Sequence, residues 1–481
     1  MKQIVKVLLL LCLASGLAQA QQLPMQFFRP ATQNGINVFE TNKTDTTKFT
    51  GVHVNVGGAF AQHYQSLSTS NYVTNSDGSI LMPVGQSKLT KTDSNNILSK
   101  LTGGFNLAMA NLYLDAQLAD GIRVNVTAYL STRHHEDTWV KNGYLQMDAA
   151  KFLNSDFVND VFKYITVKVG DLEVDYGDAH FRRADGGNEM YDAFIDNNIM
   201  DEFATEIGAE IYFHDPSGFL AMVGATDGML NPTVRAALAI DSSTGALNSY
   251  EPAYHLKLGY DKQINSDLRV RLTGSFYTAS STASSTLFGG DRAGSNYVTD
   301  IVTASTLAAA SSGDENLVFT DGRYNPSFSE AISTFMINPF VKFGGLELFG
   351  TYESAKGRKI IEKDTRSATQ LAGDLLYRFG SHENFWVGVR YNQLKAQPAP
   401  GTAAALATAT ANGATIPDIT ISRICASAGW FLTESVMMKL EYVTQKYDGF
   451  DDPIITKMLG GAQVLSGAKF SGVMVEAAIG F

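Results

Sequence analysis

Apolar and polar residues alternate along much of the chain in segments of about ten residues, the length of a tilted strand crossing a bilayer. Two segments alternate without a break: Ile122–Ser131 and Leu268–Tyr277. Successive side chains of a strand point to opposite faces, so each segment has one aliphatic or aromatic face and one face of Arg, Asn, Thr and Ser. The same rhythm predicts strands near 51–66, 101–118, 122–135, 138–149, 164–175, 204–214, 218–230, 251–262, 267–279, 333–344, 345–355, 368–379, 384–396, 418–432, 435–447 and 469–481. That is about sixteen, an even count of the kind bacterial outer-membrane barrels show. Alternation alone also fits a soluble sandwich.

The connectors separate the two. Every other one is short: 119–121, 215–217, the region of 263–265, 344–345, 380–383 and 433–434. The interleaved ones are mostly long: 67–100, 176–203, 231–250, 280–332, 397–417 and 448–468. Short turns on one rim and long loops on the other characterise an outer-membrane barrel. Two connectors depart from this: 136–137 is short on the long side, and 150–163 is long on the short side, with a helical pattern over 156–162. The predicted fold is all-β, a transmembrane antiparallel β-barrel over 51–481 with short periplasmic turns and long extracellular loops. Aromatics at the strand ends, among them Tyr129, Tyr212, Phe213, Tyr277, Tyr377, Phe379, Phe385, Trp386, Trp430 and Phe431, are expected to form two interfacial girdles.

The N-terminus reads as a secretory signal peptide over 1–20. Lys2 and Lys6 give the positive region, Val7–Leu13 the apolar run, and Ala18-Gln19-Ala20 the cleavage site. Residues 21–50 then form an N-terminal periplasmic extension. No later run of about 18 apolar residues exists to make a spanning helix. Of 2 cysteines only Cys425 survives cleavage, so no intramolecular disulfide is expected. The net charge of -11 argues against nucleic acid as a partner.

With the polar face of each strand inward, the lumen wall carries Arg123, Arg133, Lys168, Glu173, Asp175, Glu206, Glu210, Lys257, Arg269 and Arg271. An Arg or Lys facing lipid at mid-bilayer would cost about 2–4 kcal/mol. The fifth strand is read as changing phase at Gly170-Asp171, which a β-bulge would explain. The cluster His134-His135-Glu136-Asp137 falls at a loop tip and reads as a polar turn. No metal site, catalytic residue or cofactor motif is predicted, and an outer-membrane enzyme is the less favoured alternative. A substrate-specific transporter or surface-binding barrel, plugged by 21–50, is the other.

The terminal strand places Val473, Val475, Ala477, Ile479 and Phe481 on one face and ends at Phe481. It resembles the signal read by the outer-membrane barrel assembly machinery. More broadly, the chain resembles Gram-negative porins. Tyr164–Gly177 and Ile207–Phe213 are similar to a strand pattern of phosphate-selective-type porins, and Phe28-Arg29-Pro30 with Gly35–Glu40 resembles the mature N-terminus of such proteins in Bacteroidetes-type bacteria. The resemblance implies a diffusion channel for small hydrophilic solutes or ions. It also implies residence in the outer membrane beside its lipids and lipopolysaccharide, and a homotrimer. It further implies that the third long loop, 176–203, folds into the pore as a constriction, with Asp178, Arg182, Arg183, Asp185, Glu189 and Asp192 as its charged residues. The other reading of that loop is a solvated acidic surface bridging lipopolysaccharide. Its seven acids against two arginines lead us to expect modest cation preference.

Overall fold

The computed structural model describes residues 23–41, 43–72, 98–106, 109–131, 138–184, 189–234, 239–282, 284–290, 294–303, 322–460 and 463–481. The expected signal peptide, Arg133, Asp185 and the cluster at 134–137 lie outside them.

The strands are β1 (His53–Ser70), β2 (Gly104–Phe105), β3 (Met109–Ala119), β4 (Ile122–Ser131), β5 (Thr138–Met147), β6 (Ile165–Glu173), β7 (Thr205–His214) and β8 (Phe219–Thr226). The series continues with β9 (Ala253–Gln263), β10 (Leu268–Ala279), β11 (Ala331–Phe343), β12 (Leu346–Arg358), β13 (Arg366–Phe379), β14 (Phe385–Ala396), β15 (Ile419–Thr433), β16 (Val436–Asp448) and β17 (Lys469–Gly480). From β3 onward each pairs antiparallel with the next along the chain, and β1 pairs with β17 along Ala59–Ser70, which closes the sheet. The two-residue β2 and β3 lie end to end along β1, so the barrel has 16 staves. A helix at Asp156–Val161 occupies the long connector on the short-turn rim, its N-terminus capped by the Ser155 hydroxyl.

Tight hairpins at Asp120-Gly121 and Gly344-Gly345 make two of the short turns. Gly121 (φ 71°) and Gly344 (φ 54°) take the left-handed backbone such turns need.

Burial runs opposite to that of a soluble protein. The outward positions are apolar: Leu256, Leu258, Leu272, Phe276, Ile337, Leu348, Leu371 and Leu375 are all exposed on the outer face. The inward positions hold the charges: Lys257, Arg271, Glu206, Glu210, Glu347, Arg390, Lys439 and Glu476 are buried. An apolar band that large, wrapped around a polar interior, is stable in lipid and not in water. The barrel is an outer-membrane barrel.

The girdle expectation is corrected in part. Tyr377, Phe379, Phe385 and Trp430 stack in a row with ring centroids 6.0, 5.6 and 5.7 Å apart on the outer face near the short turns. Tyr129, Tyr212, Tyr277, Trp386 and Phe431 point inward and are buried. β-Propensity put aromatics on both faces. The bulge is also corrected. β6 pairs through Ile165–Glu173 with β7 without a register shift. Thr166 and Leu172 keep one inward phase and both are buried. Gly170 has φ 141°, and a Cβ there would meet the Gly143 carbonyl oxygen at 2.4 Å, so close backbone approach explains the glycine. Glu173, the last residue of the β6 ladder, and Asp175, just beyond it, both line an interior cavity.

Candidate functional site

Two segments fill much of the barrel interior. The first is 23–50, which does not project from the barrel as an extension would. It turns back across the mouth on the short-turn rim as a strap. Gln26 sits at the β3–β4 turn, where its side-chain oxygen accepts from the Gly121 N–H at 2.8 Å. Gln33 N–H donates to the Glu434 carbonyl at 2.8 Å, on the β15–β16 turn. The Asn37 amide donates to Glu347 on β12 at 2.7 Å. Glu40 lies 2.8 Å from Arg271 and 3.2 Å from Lys257. Lys43 donates to the carbonyls of Asp148 and Ile165 at 2.8 and 2.9 Å. The strap is thus tied to staves around most of the circumference. Burial pushes the Glu40 carboxyl upward, but Arg271 and Lys257 outweigh it and hold it at about 2.

The second segment is the connector 174–204, and it runs through the interior against β9–β17. Its apolar residues reach a buried core. Phe194, Ile195, Ile199 and Met200 pack with inward residues of the wall, including Tyr277, Met336, Trp386, Leu394, Ile419 and Met437. Its backbone is pinned by wall side chains. Glu441 accepts from the Ile195 N–H at 2.9 Å, Asn392 from Ile199 at 2.6 Å, and Gln370 from Met200 at 2.8 Å.

Of the loop charges predicted from sequence, Asp178, Arg182 and Asp192 are matched by wall charges. Asp178 accepts two hydrogen bonds from Arg271 at 2.7 Å each and one from Thr273 at 2.7 Å. Arg182 pairs with Glu347 at 3.5 Å and contacts Asn37 of the strap. Arg183 pairs with Asp201 of its own loop at 2.7 Å. Asp192 sits 3.1 Å from Arg390, which also holds Asp374 at 2.7 Å. Glu189 is fully buried. Burial, then the nearby Glu476, raises its carboxyl to about 7. His180 lies between Glu173 (3.1 Å) and Asp175 (2.9 Å). Burial pulls its imidazole down, but the hydrogen bonds it donates to those carboxylates prevail and raise it to about 9, so it is cationic at neutral pH.

Among the described wall residues, Arg123, Asp175, Glu206, Glu210, Lys257 and Arg271 are buried. Glu206 hydrogen-bonds Tyr277 at 2.8 Å, and Glu210 meets His255 at 3.0 Å. Neither meets Arg182 or Arg183, because both arginines turn toward other partners. Arg123 bridges Asp115 (3.3 Å) and Gln146 (2.8 Å), and Arg269 pairs with Asp261 at 2.7 Å. Lys257 contacts Asp175 directly. Lys168 donates to the Tyr212 hydroxyl at 3.2 Å. Sequence reasoning missed Arg378, which pairs with Glu347 at 2.8 Å, and Arg423, which donates to the Asn197 carbonyl at 2.6 Å. Both lie on the polar phase of alternating strands, and that phase was the signal available.

The remaining space is off centre. A cavity of about 600 Å³ lies between the strap and β7–β10 at the short-turn rim. It shares Phe39 and Glu40 with a second, of about 160 Å³, against β4–β6. That one shares Arg29, Arg123, Tyr144 and Tyr191 with a third, of about 150 Å³, beside β3–β5. Adjoining cavities thus follow one side of the barrel, between its wall and the connector, whose Asp175, His180, Phe181, Arg183 and Tyr191 line the second.

No protein-family model matches the chain, and no curated protein matches its sequence. Solved structures with a similar fold include an anion-selective porin from Comamonas acidovorans, at 10% identity and a TM-score of 0.47 over 89% of this chain and 100% of that one. OmpT, an outer membrane protein of Vibrio cholerae, matches at 10% identity and 0.45 over 90% and 99%. The outer membrane channel DcaP of Acinetobacter baumannii matches at 11% identity and 0.44 over 90% and 99%.

Proposed function

We propose that this chain is an outer-membrane channel for small hydrophilic solutes or ions, working as a diffusion porin. The observation that carries the reading is the row of adjoining, polar-lined cavities inside a closed barrel with an apolar exterior. A barrel built for packing alone has no reason to keep charged side chains around water-sized space, because such groups cost free energy unless solvated or paired. The connector 176–203 acts as the constriction and confines passage to the β3–β6 side. Phe481 serves as the assembly signal; its backbone bonds Gly58 on β1 at 2.9 and 3.0 Å, at the closing seam. Cleavage after Ala20, a homotrimer and contact with lipopolysaccharide belong to the same proposal. Planar-bilayer recordings test it: the full-length mature barrel should give discrete conductance steps in potassium chloride. Their absence from correctly folded protein would overturn the reading.

One observation favours a second reading, a gated transporter: the strap crosses the mouth and is tied to opposite walls. Deleting 24–44 separates them. A porin gains conductance modestly, whereas a plugged transporter goes from closed to open.

A further inference from the structure

The 160 Å³ cavity against β4–β6 has an unusual charge balance. Five cationic side chains line it, Arg29, Arg123, Lys168, His180 and Arg183, against three carboxylates. Those carboxylates are already engaged. Asp175 contacts Lys257 and His180, Glu40 is held by Arg271 and Lys257, and Glu173 faces His180. Lys257 and Arg271 reach Asp175 and Glu40 from outside the cavity lining. The acids therefore spend their charge partly on cations elsewhere.

Lys168 has no direct ionic partner, although the charges of Asp175 and of its cross-strand neighbour Glu210 reach it from further off. Among the described residues no carboxylate lies within salt-bridge distance of its ammonium, and its hydrogen bond goes to a neutral phenol, Tyr212, at 3.2 Å. The ammonium sits 4.7 Å from the Tyr212 ring centre and 5.7 Å from that of Tyr144. The Arg123 guanidinium lies 6.0 Å from the same Tyr144 ring. An ammonium with three donors and one neutral acceptor leaves hydrogen-bonding capacity for an incoming anion. Beside it, Tyr144, Leu172 and Phe181 supply apolar surface.

We infer that this cavity is a binding site for a small organic anion, its carboxylate set against Lys168 and its apolar or aromatic body against Tyr144 and Phe181. The inference rests on the channel reading for its purpose, since the site lies on the proposed path. It reverses the cation preference expected from the acidic connector, because Asp178 and Asp192 of that connector are matched by the wall arginines Arg271 and Arg390. Arg29 brings the N-terminal strap into the site, stacked on Tyr191 at 3.8 Å.

Calorimetric titration of the full-length, detergent-solubilised barrel with benzoate tests the site without requiring conduction. Saturable binding is expected, weaker for acetate, which lacks the ring, and for inorganic phosphate. Lys168→Gln should weaken benzoate binding about tenfold, the loss of one charge-assisted contact, while Lys168→Arg keeps most of it. Heat-modified migration on a gel verifies that each variant is folded. Equal benzoate affinity in folded Lys168→Gln overturns the site, as does phosphate binding as tightly as benzoate. If conductance is present but benzoate does not bind, the site fails and the channel stands. If benzoate binds but no conductance is found, the channel reading fails and the site stands.

Discussion

The two sides of the barrel interior solve different problems. Against β9–β17 the connector 174–204 makes a dry core, with Phe194, Ile195, Ile199 and Met200 buried among wall residues and its Asp178 and Asp192 matched to arginines. Against β3–β6 the wall keeps polar side chains around open space. The same strand alternation builds both. The difference comes from which inward positions are apolar. Met336, Trp386, Leu394, Ile419 and Met437 give the connector a surface to bury against. The facing wall offers Arg123, Asn142, Gln146 and Lys168 instead, which water solvates better than a loop does. The connector is thus fixed to one side of the interior by ordinary hydrophobic packing.

The strongest test of this comparison removes the connector. Deleting 180–196 takes away Phe194, Ile195 and Asp192, one of the two carboxylates that Arg390 holds, and should raise single-channel conductance severalfold. Unchanged conductance in a folded barrel would mean that the connector does not limit passage. The deletion also uncovers the apolar inner wall, so a lower melting temperature should accompany it.

Point substitutions compare the two sides directly. Trp386 is 1% exposed in the packed core. Trp386→Ala should cost about 3–5 kcal/mol of stability through the cavity it leaves. Tyr144→Ala beside open space should cost about 1 kcal/mol or less, since water already reaches it. Denaturant titration in detergent measures both, and equal losses would erase the distinction between the two walls. Next in size, Arg390→Gln strands Asp192 and Asp374 in the packed half and should cost about 3 kcal/mol.

Strand positions were largely legible because a period of two is a strong signal over ten residues. The predicted strand over 267–279 and the observed Leu268–Ala279 differ by one residue at its start. Inward charge was legible for the same reason. Partners were not: Arg182 goes to Glu347 on β12 and Asp192 to Arg390 on β14, contacts made across the lumen that no local pattern encodes. The strap was hidden because 23–50 lacks alternation and is held by scattered polar contacts. The girdle was half legible, since Trp386 and Trp430 carry the same propensity signal and only strand phase tells inward from outward.

The smallest expected effect concerns the stem where the connector enters the barrel. His180 joins Glu173 and Asp175 there, and its imidazole is held up at about 9. A raised histidine contributes stability fully below its unfolded value of about 6.5, and the contribution fades as pH climbs through the folded value. The stem should therefore be firm at neutral pH and loosen in alkali. Lys257 keeps its hold on Asp175 throughout, so only part of the anchoring is lost, on the order of 1–2 kcal/mol. Glu173, Asp175 and His180 line the cavity on the proposed path, so a looser stem should raise conductance and its noise between about pH 8 and 10. His180→Gln keeps a hydrogen-bonding side chain without the titration, and should show the looser behaviour at neutral pH with a flat profile above it. A wild-type profile that is flat from pH 7 upward would detach the stem from the constriction, and leave the core around Phe194 alone to hold the connector in place.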